Sequence, residues 1–296
     1  METGADKRPE EFTMKRIEHL IFPSERALYG ARDLTLVHCS FDGEEDGESA
    51  LKESRNVTLQ DCYMNLRYPL WHDENVRLER CEMTDKCRAP VWYTKHAVIL
   101  DSVLHGVKAV RECESVRIER SEIVSPEFGW RSKDVSVSDG SIEGEYMFFQ
   151  SRDLRLDRIR QKGKYSFQYV ENAELNDCVL DTKDAFWHTK NVTVRNTLIR
   201  GEYLGWYSDG LTLIGCKIIG TQPLCYCRNL TLIDCTTELA DLAFEYSEVQ
   251  ADVRGEVLSV KNPYRGRITA DAYGEIILTD DAVYPHECEI RVRKDS

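Results

Sequence analysis

The sequence predicts an all-β protein: a right-handed, single-stranded parallel β-helix of about a dozen rungs, each about nineteen residues long. Three observations carry that prediction. Short apolar-x-apolar strands recur at a nearly constant step. Aligned on that step, the residues fall into columns of constant chemistry. Each unit is too short for antiparallel hairpins joined by tight turns, but suits a coil whose columns stack about 4.8 Å apart.

The strands start at Leu34, Val57, Val76, Ala97, Val116, Val135, Leu154, Ala173, Val192, Leu211 and Leu230, every nineteen residues from Ala97 onward. The earlier steps of 23, 19 and 21 read as small loop insertions, the most prominent being the acidic stretch Phe41–Ala50. A start near Val249 keeps the step, and Ile268 continues it more weakly.

The start column is aliphatic, and so is the column two residues later, from Leu36 to Leu232. The column six residues before includes Leu51, Leu70, Phe148, Phe167 and Phe186, and three before lie mainly small residues such as Ser54, Thr94, Ser132 and Ser151. Each rung therefore holds three short apolar stretches divided by bends. One rung cannot bury its own face, and stacking makes a continuous core. Right-handedness follows from the general preference of parallel connections.

The residue before every start but Ala97 is Asp33, Asn56, Asn75, Ser115, Asp134, Asp153, Asn172, Asn191, Gly210 or Asn229. These residue types tolerate left-handed backbone angles, so the column reads as a hydrogen-bonded corner ladder. Five after the start, Cys39, Cys62, Cys81, Cys178, Cys216 and Cys235 alternate with Ser102, Ser121, Gly140 and Thr197, a column for small buried side chains. Stacked parallel side chains suit a disulfide poorly. Reduced thiols place the chain in the cytoplasm, and the N-terminus lacks the apolar core of a signal peptide. Residues 10–21 are expected to cap the coil as a short amphipathic helix. The division is then residues 1–21 as extension and cap, and 22–296 as the β-helix with irregular final rungs.

A net charge of -13 argues against nucleic-acid binding, and no apolar run is long enough to span a bilayer. Nothing implies a cofactor or a metal. There is no CxxC pair and no phosphate loop, and Cys225 and Cys227 fall in different columns.

One face stands out. Five residues before the starts, Trp71, Trp92, Trp130, Trp187 and Trp206 share one column, whose inward-facing flanks predict that it points outward. Beside it run His72, Tyr93, Tyr169, His188, Tyr207 and Tyr226. Outward aromatics at this density are uncommon on a monomer. A ladder stacked for strand stability, or a surface covered by a cap or another subunit, would account for them. So would a platform for sugar rings, whose apolar C–H faces stack on aromatic side chains. On that reading Trp71, Trp92, Trp130, Trp187, His188, Trp206, Tyr207 and Glu245 are the ligand-binding candidates. Lys183, Asp184 and Glu202 lie on the bend upstream, on neighbouring rungs. Carboxylates from adjacent rungs fall roughly 5–7 Å apart, near the separation that retaining glycosidases use, which makes the three weak catalytic candidates.

The segments SERALYG (24–30), GESALKES (47–54), YPLWHD (68–73), RAPVWYT (88–94), KDAFWHTKNVTV (183–194), GEYLGWYSDGLTLIGC (201–216), LAFEYSEV (242–249), SVKNP (259–263) and GEIIL (274–278) resemble the bacterial family known as domain of unknown function 3737. The resemblance runs from about Phe22 to Pro285. It implies a β-helix of the pectin-lyase-like class and no established activity. The calcium-binding aspartates and catalytic arginine setting of polysaccharide lyases have no counterpart here. Two functions from different classes therefore stand. One is binding or processing of an oligosaccharide along the aromatic stripe. The other is a non-enzymatic scaffold that docks a protein partner, or a second copy, on the same stripe.

Overall fold

Lys95 pairs with Glu114, Glu114 with Lys133, and Lys133 with Arg152, always in parallel. These contacts come from a computed structural model that describes residues 14–44 and 47–294. They make residues nineteen apart vertical neighbours, as the periodicity requires. The pairing of Arg32 with Arg55, Arg55 with Glu74 and Glu74 with Lys95 reproduces the irregular early steps. The coil is a right-handed parallel solenoid of about 15 turns, a few more than the repeat suggested. Its only described helical piece is the 3-10 turn Asp85–Cys87.

The extra turns lie at the ends. Lys15–Glu18 is a strand that pairs in parallel with Leu34–Val37, so this stretch of the expected cap helix is instead the first turn. The β-helix thus begins before residue 22. An edge strand satisfies the amides of the next rung, which a helix lying across it would not. Residues 1–13 of the proposed extension, and 45–46 of the acidic insertion, lie outside the described residues. At the other end Val249 pairs with Gly266, and Ala251 with Ile268. Ile268 therefore belongs to the second aliphatic column, on a rung shortened to 17 residues, and does not open a rung of its own. Glu287–Val292 adds a last strand on Arg265–Ala270.

Inside, the aliphatic columns are buried throughout, and the phenylalanines form their own ladder. Phe148, Phe167 and Phe186 stack at 5.6 and 5.5 Å between ring centroids. Each buried ring stabilises the coil by about 2–3 kcal/mol. Gly129 begins that ladder because a Cβ there would sit 2.6 Å from the Phe148 ring. The six cysteines of the small column are buried and free, each thiol donating to a backbone carbonyl, as Cys81 Sγ does to Leu59 O at 3.5 Å.

The corner ladder is present. Asp33, Asn56, Asn75, Asp153, Asn172 and Asn191 all adopt left-handed backbone angles, with φ between 50 and 58°. Asn56 Nδ2 donates to Asp33 Oδ1 at 2.8 Å, and Asn75 Nδ2 to Asn56 Oδ1 at 3.1 Å. A second left-handed corner was not anticipated. There Arg80 grips Asp61, Arg120 grips Asp101 and Arg158 grips Asp139, each through two hydrogen bonds of 2.6–2.9 Å. The signal was legible as alternating Asp and Arg at one column. Each pair is exposed and contributes little alone.

Candidate functional site

The five tryptophans do occupy one column, but it is not an open platform. Trp71 and Trp92 lie in the short paired strands Leu70–Trp71 and Val91–Trp92, Trp130 in a bridge to Arg111, and Trp187 and Trp206 in turns, and all five indoles are half-buried. Gln168, Cys225 and Phe244 in the same column are buried outright, which interrupts the expected outward stripe. Trp71 and Trp92 stack at 5.1 Å with planes 9° apart, Lys52 Nζ lies 3.8 Å above Trp71, and the Arg111 guanidinium sits 5.8 Å from both Trp92 and Trp130. At Trp71, Trp92 and Trp130 side chains of neighbouring rungs therefore lie over ring faces. Trp206 Nε1 donates to Gln222 O at 3.0 Å, and Trp130 Nε1 to Tyr146 O.

The neighbouring column is a second ladder. Tyr169 and His188 stack at 5.1 Å, His188 and Tyr207 at 5.0 Å, and Tyr207 and Tyr226 at 4.9 Å, with interplanar angles of 2, 11 and 16°. All four residues hold left-handed backbone angles, φ 55–59°. That strain is on the order of 1 kcal/mol each, and ring stacking of about 0.5–1.5 kcal/mol per pair offsets it. Burial between the two tyrosines depresses the His188 pKa, so its imidazole is neutral near pH 7.

Beyond Tyr226 the ladder breaks. Tyr246 tilts 50° from Tyr226, Tyr284 stands edge-on to Tyr246 at 74°, and Tyr264 meets Tyr284 at 38°. The cause is the altered rung length, which removes the vertical register that keeps rings parallel. An open groove of about 800 Å³ lies there, lined by His188, Tyr207, Tyr226, Tyr246, Tyr264 and Tyr284 and by Lys190, Asp209, Arg228, Asn229, Glu248 and Arg265. Arg265 pairs with Glu248 at 3.0 Å, and Lys190 with Glu171 at 3.1 Å. The Arg228 guanidinium is exposed and makes no ion pair among the described residues.

The upstream carboxylates sit apart from this groove. Lys183 Nζ holds Glu202 Oε2 at 3.1 Å and lies 4.9 Å from the Tyr203 ring centroid. Desolvation raises the Asp184 pKa; the Lys183 charge opposes that rise and the Glu202 charge adds to it. Asp184 and Glu202 are on adjacent rungs, joined by the backbone hydrogen bond Asp184 N–H to Glu202 O at 2.9 Å. Glu202 is thus committed to an ion pair. Glu245 is largely covered and bonded to Lys261 at 2.9 Å. Desolvation, reinforced by the Glu245 charge, pushes the Tyr226 hydroxyl up to about 12.

The family model for a protein of unknown function, DUF3737, matches residues 15–291. This chain belongs to the DUF3737 family. No curated protein matches it. Among solved structures, the surface adhesin PfbA of Streptococcus pneumoniae is 7% identical, with a TM-score of 0.39 over 71% of the DUF3737 chain and 83% of the adhesin. The A-module of the Azotobacter vinelandii mannuronan C-5 epimerase AlgE6 is 11% identical, with a TM-score of 0.36 over 94% and 89%. A mannuronic acid specific family 6 polysaccharide lyase from human gut microbiota is 9% identical, with a TM-score of 0.36 over 93% and 76%.

Of the binding candidates read from the DUF3737 sequence, the groove gathers His188 and Tyr207. Trp71, Trp92 and Trp130 lie rungs away, and Trp187, Trp206 and Glu245 are not among its lining residues. Sequence reasoning missed Tyr246, Tyr264, Tyr284 and Arg228. A run of tyrosines near the C-terminus was visible, but the rung slip hid their convergence.

Proposed function

We propose that the protein binds an oligosaccharide in the groove where the tyrosine ladder breaks. The carrying observation is the tilt between Tyr226 and Tyr246. It unstacks the Tyr246 ring from Tyr226, and an unstacked face is what the apolar C–H surface of a sugar requires. Arg228, Asp209 and Asn229 stand in the same groove as donors and acceptors for hydroxyl groups. A glycan array followed by calorimetry tests this. We expect a hit whose affinity falls roughly tenfold or more in Tyr246→Ala and Tyr284→Ala, with Trp71→Ala unchanged. A silent array, or equal loss in all three variants, overturns it.

A protein partner on the same groove is favoured by Val283, which is 74% exposed beside the half-exposed Tyr284. A silent array combined with a pull-down that Val283→Asp abolishes would select this second reading. The proposal does not extend to catalysis by Asp184 and Glu202; a chromogenic glycoside turned over by the protein, but not by Glu202→Gln, would reopen it. The free buried thiols favour a reducing compartment. Disulfides found in protein isolated with its thiols blocked would count against the cytoplasm.

A further inference from the structure

We propose that the C-terminal end of the coil docks a second copy of this chain, by antiparallel pairing of two Glu287–Val292 strands about a two-fold axis at Ile290. Among the described residues this strand has one ladder partner, Arg265–Ala270. Glu287 N–H donates to Tyr264 O at 3.0 Å, and Arg293 N–H to Ala270 O at 2.7 Å. Successive peptide groups of a strand face opposite sides, so the odd-numbered residues bond inward. The amides and carbonyls of Cys288, Ile290 and Val292 then face off the end of the coil. Such a row is a template for another strand.

The side chains specify which strand. Cys288 and Ile290 lean on the core, while Glu287, Glu289 and Arg291 lie exposed along the other face with Arg293 half-buried beside them. Two acids are followed by two bases, an order that is self-complementary when the strand is reversed. With Ile290 opposite its own copy, Cys288 faces Val292, and both sit at hydrogen-bonded positions, as the outward amides demand. Glu289 then faces the second copy's Arg291, and Glu287 its Arg293. Those are the non-hydrogen-bonded positions, where Cα atoms approach to about 4.5 Å and side chains interact most closely.

Amide parity admits this register and every even slide from it, and charge ranks them: here all four facing charge pairs are opposite. A slide of two residues in either direction keeps two opposite pairs but sets Glu289 against Glu289 or Arg291 against Arg291 at the axis. In-register parallel pairing sets like charge against like throughout. Charged edges ordinarily disfavour strand addition; this one disfavours the self-complementary register least. The pairing is isologous and closed, so it yields a dimer and not a fibre. Glu289 already holds Arg267 at 3.0 Å and pairs with Arg291 of its own strand, and Arg293 holds Asp271 at 2.6 Å and pairs with Asp252, contacts that the second copy's charges share or exchange. These exposed pairs are weak individually and orient the side chains that the second copy meets.

Sedimentation equilibrium on the full chain, from about 1 to 100 µM and at two salt concentrations, tests the proposal. We expect a monomer–dimer equilibrium weakened by salt. Glu289→Arg alone and Arg291→Glu alone should each raise the dissociation constant at least about tenfold without changing the thermal melt. The double variant Glu289→Arg/Arg291→Glu restores the complementary order and should restore the dimer. A monomer at every concentration, a dimer indifferent to the single reversals, or a double variant as weak as the singles overturns it.

Discussion

Asp73 accepts the backbone amide of Ser54 on one carboxylate oxygen, at 2.6 Å, and buries the other with no partner. It stands in the column where other rungs carry Ser or Thr. Burial pushes its pKa up to about 8, opposed by the Ser54 amide and reinforced by the Glu53 charge. The folded chain therefore keeps a proton that the unfolded chain releases near pH 4, and stability falls as pH rises from about 4 to 8. Asp73→Asn removes that charge while keeping the acceptor. It should stabilise the protein by on the order of 2–4 kcal/mol at pH 8 and by almost nothing at pH 4. Urea melts at the two pH values check this.

His188 works in the opposite sense. Its pKa is depressed by burial between Tyr169 and Tyr207, so the unfolded chain takes up the proton first on acidification. The contribution of the neutral ring is full above the ordinary histidine pKa and is lost as pH falls through the lowered folded value. His188→Phe should flatten this region of the pH–stability curve. Histidine-resolved NMR titration should find His188 titrating below the ordinary histidine range.

Asn172 holds φ at 58°, donates to Asp153 Oδ1 at 3.1 Å and accepts from Asn191 Nδ2 at 3.3 Å. Alanine there loses two ladder bonds and takes on left-handed strain, which together should cost about 1–2 kcal/mol. Glycine loses the bonds but not the backbone freedom and should cost less. The order Asn, Gly, Ala in chemical denaturation is the check.

Gly201 is held at φ 141°, and a Cβ there would lie 1.9 Å from the Thr182 carbonyl oxygen of the rung below. Gly201→Ala must push the two stacked rungs apart and should lose about 3 kcal/mol or more. Thermal melts should show that loss, whereas Gly30→Ala, with open space around its missing Cβ, should lose about 1–2 kcal/mol from backbone strain alone.

The coil, its inward columns and its asparagine corner were legible because a constant step names each residue's vertical neighbour. Thus Asn56 above Asp33, and Trp206 beside Trp187, followed from spacing before any coordinate was known. The Asp61–Arg80 corner was equally periodic and went unread, because charged columns look alike until pairing geometry separates them. The tryptophans were placed in the right column and given the wrong exposure. Strands of two residues, as at Trp71 and Trp92, and turns, as at Trp187 and Trp206, are too short for alternation alone to set which way a side chain points.

What the sequence by itself determined is order along the axis: which side chains stack, and on which rung. What only the tertiary structure decided is where that order fails. Glu248 pairs with Arg265 and Arg265 with Glu287, on rungs of 17 and 22 residues. There sequence offset no longer predicts neighbours, and Tyr246, Tyr264 and Tyr284 close on one groove. Stacking is a one-dimensional rule written in the repeat. A groove is a departure from the repeat, set by how an uneven chain packs against the rungs beneath it.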